Sequence, residues 1–188
     1  KKLNFTTKNL WLHSDASFNF SGKNIDEFLG YVMLKNLRIK EVNDEYTKEY
    51  LFSDISVLSE KLWDSTKRYK ITSEEIDGEI KGHFIPSQLV KVLQEYLIGY
   101  LNLQDSSVYK ESMSKTDFEA SIRLNKIKNY STLFVKNLKN IDSGIFTASF
   151  IGSTNKLWMN GAFKNISYDN IFVPNIVINN HSTISDFN

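Results

Sequence analysis

Apolar and polar residues alternate along most of this chain, the period expected of a half-buried β-strand. Ala16, Phe18 and Phe20 fall on one side of a segment whose other side is Ser17, Asn19 and Ser21. Asn24 to Gly30 reads as one short helical turn closed by glycine. Tyr31 to Lys40 then reads as a long strand, Tyr50 to Leu58 as another, and Tyr69 to Thr72 as a short β-rich piece. The cleanest alternation sets Ile76, Gly78, Ile80, Gly82 and Phe84 against Asp77, Glu79, Lys81 and His83.

The period changes at Pro86. Leu89, Val92, Leu93, Tyr96, Leu97, Tyr100 and Leu101 recur at three- and four-residue spacing, which predicts an amphipathic helix over 86–101, interrupted by Gly99. Pro86 suits a first helical position, because its missing N–H would be unpaired there anyway. Lys91, Gln94 and Glu95 make this segment too polar to span a membrane. A polar loop from Gln104 to Thr116 follows, and alternation resumes with Phe118, Ala120, Ile122 and Leu124. Tyr130 to Leu138 is predicted as a short helix. Ile145–Ile151, Lys156–Phe163, Ile166–Val173 and Asn175–Ile184 are predicted as four strands. About nine strands joined by short turns argue for antiparallel pairing, since parallel pairs need crossovers of a dozen or more residues. Ala16-Ser-Phe-Asn-Phe-Ser-Gly, Ala148-Ser-Phe-Ile-Gly-Ser and Gly161-Ala-Phe-Lys-Asn are faintly alike, which reads as repeated hairpin chemistry.

Composition narrows the function classes. The chain has 188 residues, which fits one domain, and 23 Lys+Arg against 22 Asp+Glu leave a net charge of +1. So even a balance gives no field to attract nucleic acid. Cys is 0, which removes disulfides, thiolate metal sites and cysteine nucleophiles. Three widely spaced histidines, His13, His83 and His181, supply a metal site poorly. No phosphate loop, dinucleotide fingerprint, HExxH or G-x-S-x-G occurs. Glu74, Glu75 and Asp77 are close enough to hold a cation but read as a solvated turn, and His83 reads as a surface histidine. His13, Ser14 and Asp15 are the residue types of a triad, but a strand does not bring neighbours to hydrogen-bond distance. Five Asn-x-Ser/Thr sequons, at Asn4, Asn19, Asn129, Asn165 and Asn180, are expected by chance in so Asn- and Ser-rich a chain. The chain starts Lys1-Lys2-Leu3, with no initiator Met, no leader pattern and no run of about 18 apolar residues. It is read as a piece of something longer.

Several strands carry apolar residues on one side, yet only one good helix is available to cover them. Phe18 and Phe20, then Ile76, Ile80 and Phe84, then Phe118, Ile122 and Leu124, then Leu157, Met159 and Phe163 must meet each other, the helix, or something apolar that is not protein. A closed sandwich with a dry core is the plainer solution on pattern alone. A curled sheet left open would instead be a groove for acyl chains. Trp11, Trp63 and Trp158 with Tyr31, Tyr69 and Tyr168 could stack sugars or bases, though packing explains them as well.

The order of segments resembles the C-terminal region of TamB proteins, the translocation and assembly module subunit of the AsmA-like superfamily, in its Bacteroidota version. The residues that carry the likeness are Ala16 to Gly30, Leu34 to Ile39, Phe52 to Val57, Ile71 to Phe84, the helix from Ile85 to Leu101, Phe118 to Leu124, and Ser143 to Ile171 with Leu157-Trp-Met-Asn-Gly-Ala162. It is a likeness of order and spacing across nearly the whole chain, without a single diagnostic motif. Two departures stand out: Gly99, where the relatives carry proline, and a length far below theirs.

The resemblance implies a mainly β fold: a long curled antiparallel sheet, a β-taco or open groove, with one amphipathic helix, the whole of 1–188 being one segment of a much longer chain. It implies a periplasmic, non-enzymatic conduit anchored at the inner membrane and reaching the outer one. The cargo would be phospholipid or another acyl chain, in lipid transport or outer-membrane biogenesis, and the partner a BamA-family barrel of the TamA type. Phe18, Phe20, Ile76, Ile80, Phe84, Phe118, Ile122, Leu124, Leu157 and Met159 are the groove candidates; no metal, cofactor or nucleic acid is expected. The rivals are an assembly chaperone acting by β-augmentation and a carbohydrate-binding or adhesive β-sandwich. A piece cut from a long sheet is also expected to self-associate through Asn4–His13 or Asn175–Ile184.

Overall fold

A computed structural model of the chain describes residues 9–42, 47–100, 115–125, 127 and 137–183. The described residues form one open antiparallel sheet of eleven strands with a single α-helix. The strands are β1 (Asn9–Ser21), β2 (Leu29–Val42), β3 (Thr47–Leu51), β4 (Ile55–Lys61), β5 (Lys67–Thr72), β6 (Ile76–His83), β7 (Asp117–Asn125), β8 (Leu138–Asn140), β9 (Ser143–Ile151), β10 (Lys156–Tyr168) and β11 (Ile171–Thr183). Their order across the sheet is β1-β2-β4-β5-β6-β7-β9-β10-β11, with β3 added to β2 and β8 to β10. β1 and β11 are therefore edges, and Pro174 is tolerated in β11 because an edge strand has one side free of ladder bonds.

The helix α1 (Leu89–Tyr100) follows a short 3₁₀ turn at Pro86–Gln88. The predicted start at Pro86 is this 3₁₀ turn, the α-helix itself begins three residues later, and Gly99 does not interrupt it. Val92 and Tyr96 on α1 are buried together with Phe118, Phe150 and Leu157 of the sheet and with Phe84 just after β6. The Tyr96 hydroxyl donates to the Ser182 carbonyl at 3.1 Å, so the helix reaches from the end of β6 to the β11 edge.

Three sequence expectations change. Tyr50 to Leu58 is not one strand but β3 and β4, separated at 52–54. The break faces Asn36, whose φ of 53° makes a bulge in β2 and shifts the β1 register between His13 and Asp15. Asn tolerates that left-handed backbone better than most residues, and its Nδ2 donates to Asp15 at 2.9 Å. Asn24 to Gly30 is a turn held by the Asn24 side chain, which accepts the Asp26 and Glu27 N–H groups; Gly30 already belongs to β2. Ile166 to Val173 spans the β10–β11 hairpin, whose two-residue turn, Asp169-Asn170, places Asp169 at φ 50°. The expected helix at Tyr130 to Leu138 lies outside the described residues except for its last two, and Leu138 opens β8. Asn4 to Lys8, most of the Gln104–Thr116 loop and Ile184 also lie outside them.

Candidate functional site

Residues directly opposite each other in an antiparallel ladder point to the same face of the sheet. Following the pairs across the molecule gives one continuous row: Phe18, Val32, Val57, Ile71, Gly78, Ile122, Phe146, Gly161 and Ile178. Every member is apolar or glycine. The next row toward α1 is Phe20, Gly30, Ser59, Tyr69, Ile80, Ala120, Ala148, Met159 and Asn180. On the other side, Ile76, Leu124, Gly144, Phe163 and Ile176 continue the apolar surface. The opposite face is mainly polar, with Tyr31, Met33, Leu58, Ile145 and Val177 as apolar members; one of its rows reads Glu60, Arg68, Lys81, Glu119, Ser149, Trp158 and His181.

All ten groove candidates lie on the apolar face, but they fall into three environments. Phe84, Phe118 and Leu157 are sealed under α1, at 7%, 5% and 1% exposure, so a ligand reaches them only if the helix moves. Ile76, Ile80, Ile122, Leu124 and Met159 are half-buried, and Ile80 and Met159 lean on that core. Phe18 and Phe20 are exposed, at 64% and 50%. Val32, Val57, Ile71, Phe146 and Ile178 belong to the same surface and were missed. Alternation alone would have found them once the hairpin pairing was known.

Glycines shape this surface through their neighbours. Phe163 lies across Gly144 and Phe146 beside Gly161, so the rings cover positions where a side chain would stand. Gly30 and Gly82 are different: their φ angles are 128° and 146°, and a Cβ on either would come within 2.1 Å of a carbonyl oxygen on the next strand.

Polar side chains fasten what borders the face. The turn between β1 and β2 folds over the lower end of β4 and β5. There the Tyr69 hydroxyl donates to the Ile25 carbonyl at 2.9 Å and the Ser59 hydroxyl to that of Phe28 at 2.6 Å. The Asp26 carboxylate accepts the Ser87 N–H at 2.8 Å and its hydroxyl at 2.7 Å, tying the turn to the start of α1. Those two hydrogen bonds, helped by nearby Lys67, hold Asp26 below its ordinary pKa. At the β3–β4 break, Glu75 accepts the Ser53 N–H at 3.2 Å and its hydroxyl at 2.5 Å. Burial alone would raise the Glu75 pKa; the Ser53 bonds outweigh it and the net shift is downward.

The other sequence candidates take structural places. Glu75 faces Ser53 while Asp77 stands in the β6 ladder opposite Thr72 and Arg123, and among the described residues no cluster of His, Asp and Glu is placed for a metal ion. The Ser14 hydroxyl donates to the Lys35 carbonyl at 3.0 Å and Asp15 serves Asn36, so the triad types are spent on the bulge. Trp63 is 97% exposed on the β4–β5 turn, and Trp158 stands on β10, so the tryptophans form no common platform. No helix among the described residues is long and apolar enough to cross a membrane. Comparison of the chain with protein-family models, curated proteins and solved structures gives no match.

Proposed function

We propose that the chain is a non-enzymatic conduit or scaffold that holds acyl chains on the apolar face of its sheet, in lipid transport between two membranes and outer-membrane biogenesis. One observation carries this reading: the row from Phe18 to Ile178 crosses nine strands without a polar side chain, and α1 covers only the ground below it. Such a surface holds a chain of methylenes by removing it from water, about 0.8 kcal/mol for each one buried. No directional bond has to break when the chain slides by one carbon. A periplasmic setting and a BamA-family barrel as partner belong to the same proposal and rest on the TamB resemblance.

The test is native mass spectrometry and lipid extraction of the purified chain, followed by binding of a fluorescent acyl probe. Bound lipid and a saturable probe signal are expected. Val57→Asp puts a charge in the acyl path, which costs several kcal/mol to desolvate, so probe binding should vanish while the fold loses only about 1–2 kcal/mol. A chain that carries no lipid and binds no probe would remove the reading.

A second reading has its own observation. β1 and β11 each present thirteen residues of edge strand, and a client strand could add to either by β-augmentation. Sedimentation that is independent of concentration, with no capture of an extended β-prone peptide, would count against it.

A further inference from the structure

The polar face of the sheet holds a trough on the side away from the apolar rows. Its middle is a cavity of about 380 Å³ over β6, β7, β9 and β10. A second, of about 260 Å³, shares Glu79, Ser121 and Thr147 with it. A third, of about 380 Å³, shares Lys81, Glu119 and Ser149 at the other end. The three together follow β7 from Arg123 to Asp117, roughly 20 Å at the rise of an extended strand.

The lining decides what fits. Every strand under the trough has both neighbours paired, so a ligand here meets side chains and not backbone groups. That removes peptides that bind by extending a sheet, which need an edge. Five carboxylates line the three cavities against three Lys or Arg groups, which repels polyanions such as nucleic acid. The middle cavity is lined by Ser121, Thr147, Ser149 and Asn160 together with Ala120, Ala148 and Trp158, so hydroxyl and amide groups are set in a lining that is more apolar than polar. Lys81 and Glu119 pair across β6 and β7 at 3.0 Å, and both remain exposed. In the middle cavity the Trp158 ring is held by stacking on His181 of β11, with centroids 5.3 Å apart and an angle of 14°, which covers one of its two faces. An indole so anchored beside carboxylate, amide and hydroxyl groups suits a pyranose, whose C–H face can lie on the ring while its hydroxyls bond to the sides.

We propose that this trough binds a short, neutral, linear oligosaccharide, with Trp158 as the stacking platform and the Lys81–Glu119 pair as the polar clamp. The site is on the face opposite the acyl surface and does not depend on the acyl reading. A sheet with an apolar face and a glycan-binding face would be held to a polysaccharide layer on one side while it handles lipid on the other.

The experiment is a titration of the ¹⁵N-labelled chain with cellotetraose, maltotetraose and chitotetraose, with a heparin tetrasaccharide as the anionic control. Amide shifts are read residue by residue, together with the Trp158 indole N–H. Saturable shifts confined to the polar side of β6, β7, β9 and β10 are expected from at least one neutral tetrasaccharide. Trp158→Ala should weaken binding about tenfold or more, the scale of losing one stacked ring. Glu119→Gln should weaken it severalfold, and Trp11→Ala, on the distant β1 edge, should leave it unchanged. Melting curves like the parent's would show that the variants fold. No shift from any neutral tetrasaccharide at millimolar concentration, binding of heparin alone, or binding indifferent to Trp158→Ala would each overturn the proposal.

Discussion

The two ends of the sheet are built on one plan and finished differently. At the N-terminal end the long hairpin β1–β2 is flanked by an interrupted strand, β3 and β4, and Asn36 at φ 53° faces the gap. At the C-terminal end the long hairpin β10–β11 is flanked by β8 and β9, and Asn165 at φ 52° faces that gap. An aspartate receives the asparagine side chain each time, Asp15 at 2.9 Å and Asp142 at 2.6 Å. The cover differs. α1 lies over Phe150 and Leu157 and reaches Ser182, whereas Phe18 and Phe20 at the other end stay exposed. Identical alternation therefore gives a core at one end and an open apolar surface at the other. What decides between them is a helix from between β6 and β7, elsewhere in the chain.

The sharpest way to break the comparison is to truncate one ring at each end. Phe150→Ala empties a fully buried site and should cost about 3–5 kcal/mol in chemical denaturation. Phe18→Ala, at the same sheet level of apolarity but exposed, should stay within about 0.5 kcal/mol. Similar losses at both would mean that the N-terminal end is as covered as the C-terminal one. Gly82→Ala comes next. Its Cβ would press on the Asp117 carbonyl in a left-handed backbone, for about 2–3 kcal/mol, read as a fall in the denaturation midpoint. Tyr96→Phe removes the hydroxyl that joins α1 to Ser182 and should cost about 1–2 kcal/mol. Faster amide exchange along β10 and β11, with β1 and β2 unchanged, would place the effect at the covered end.

The smallest expected effect is a pH dependence at the tie between the β1–β2 turn and α1. Asp26 has its pKa lowered in the folded chain, so its carboxylate stabilises the fold above the ordinary carboxyl range, and that contribution is lost as pH falls through the lower folded value. Asp26→Asn should therefore melt slightly below the parent at neutral pH, and the two curves should converge below about pH 4. A gap that widens on acidification would have the sign wrong.

The sequence made the strand content, the antiparallel pairing and the helix after Pro86 legible, because each rests on a local period. It also placed all ten groove candidates on one face, since alternation fixes parity within a strand. Parity does not say what lies above a residue, so Phe118 and Phe18 looked alike although one is 5% and the other 64% exposed. The gap between β3 and β4 was hidden because its cause is the bulge at Asn36 on a neighbouring strand. The β10–β11 turn has its signal in Asp169-Asn170, but the alternation of Ile166 to Val173 runs through it and masks it. Of the polar trough only Trp158 was legible, as one of several aromatics able to stack a sugar; its place beside Lys81 and Glu119 comes only through the pairing of β6, β7, β9 and β10.

If the apolar face takes an acyl chain and the polar face does not, a probe placed on each face will tell them apart. The absence of native cysteine allows a single probe at either of two adjacent β4 positions, Ser56→Cys on the polar face and Val57→Cys on the apolar one. Each variant is labelled with an environment-sensitive fluorophore and titrated with oleate and with phosphatidylglycerol vesicles. A saturable blue shift is expected from the label at position 57 and none from the label at position 56. Equal shifts at both positions, or no shift at 57, would contradict it.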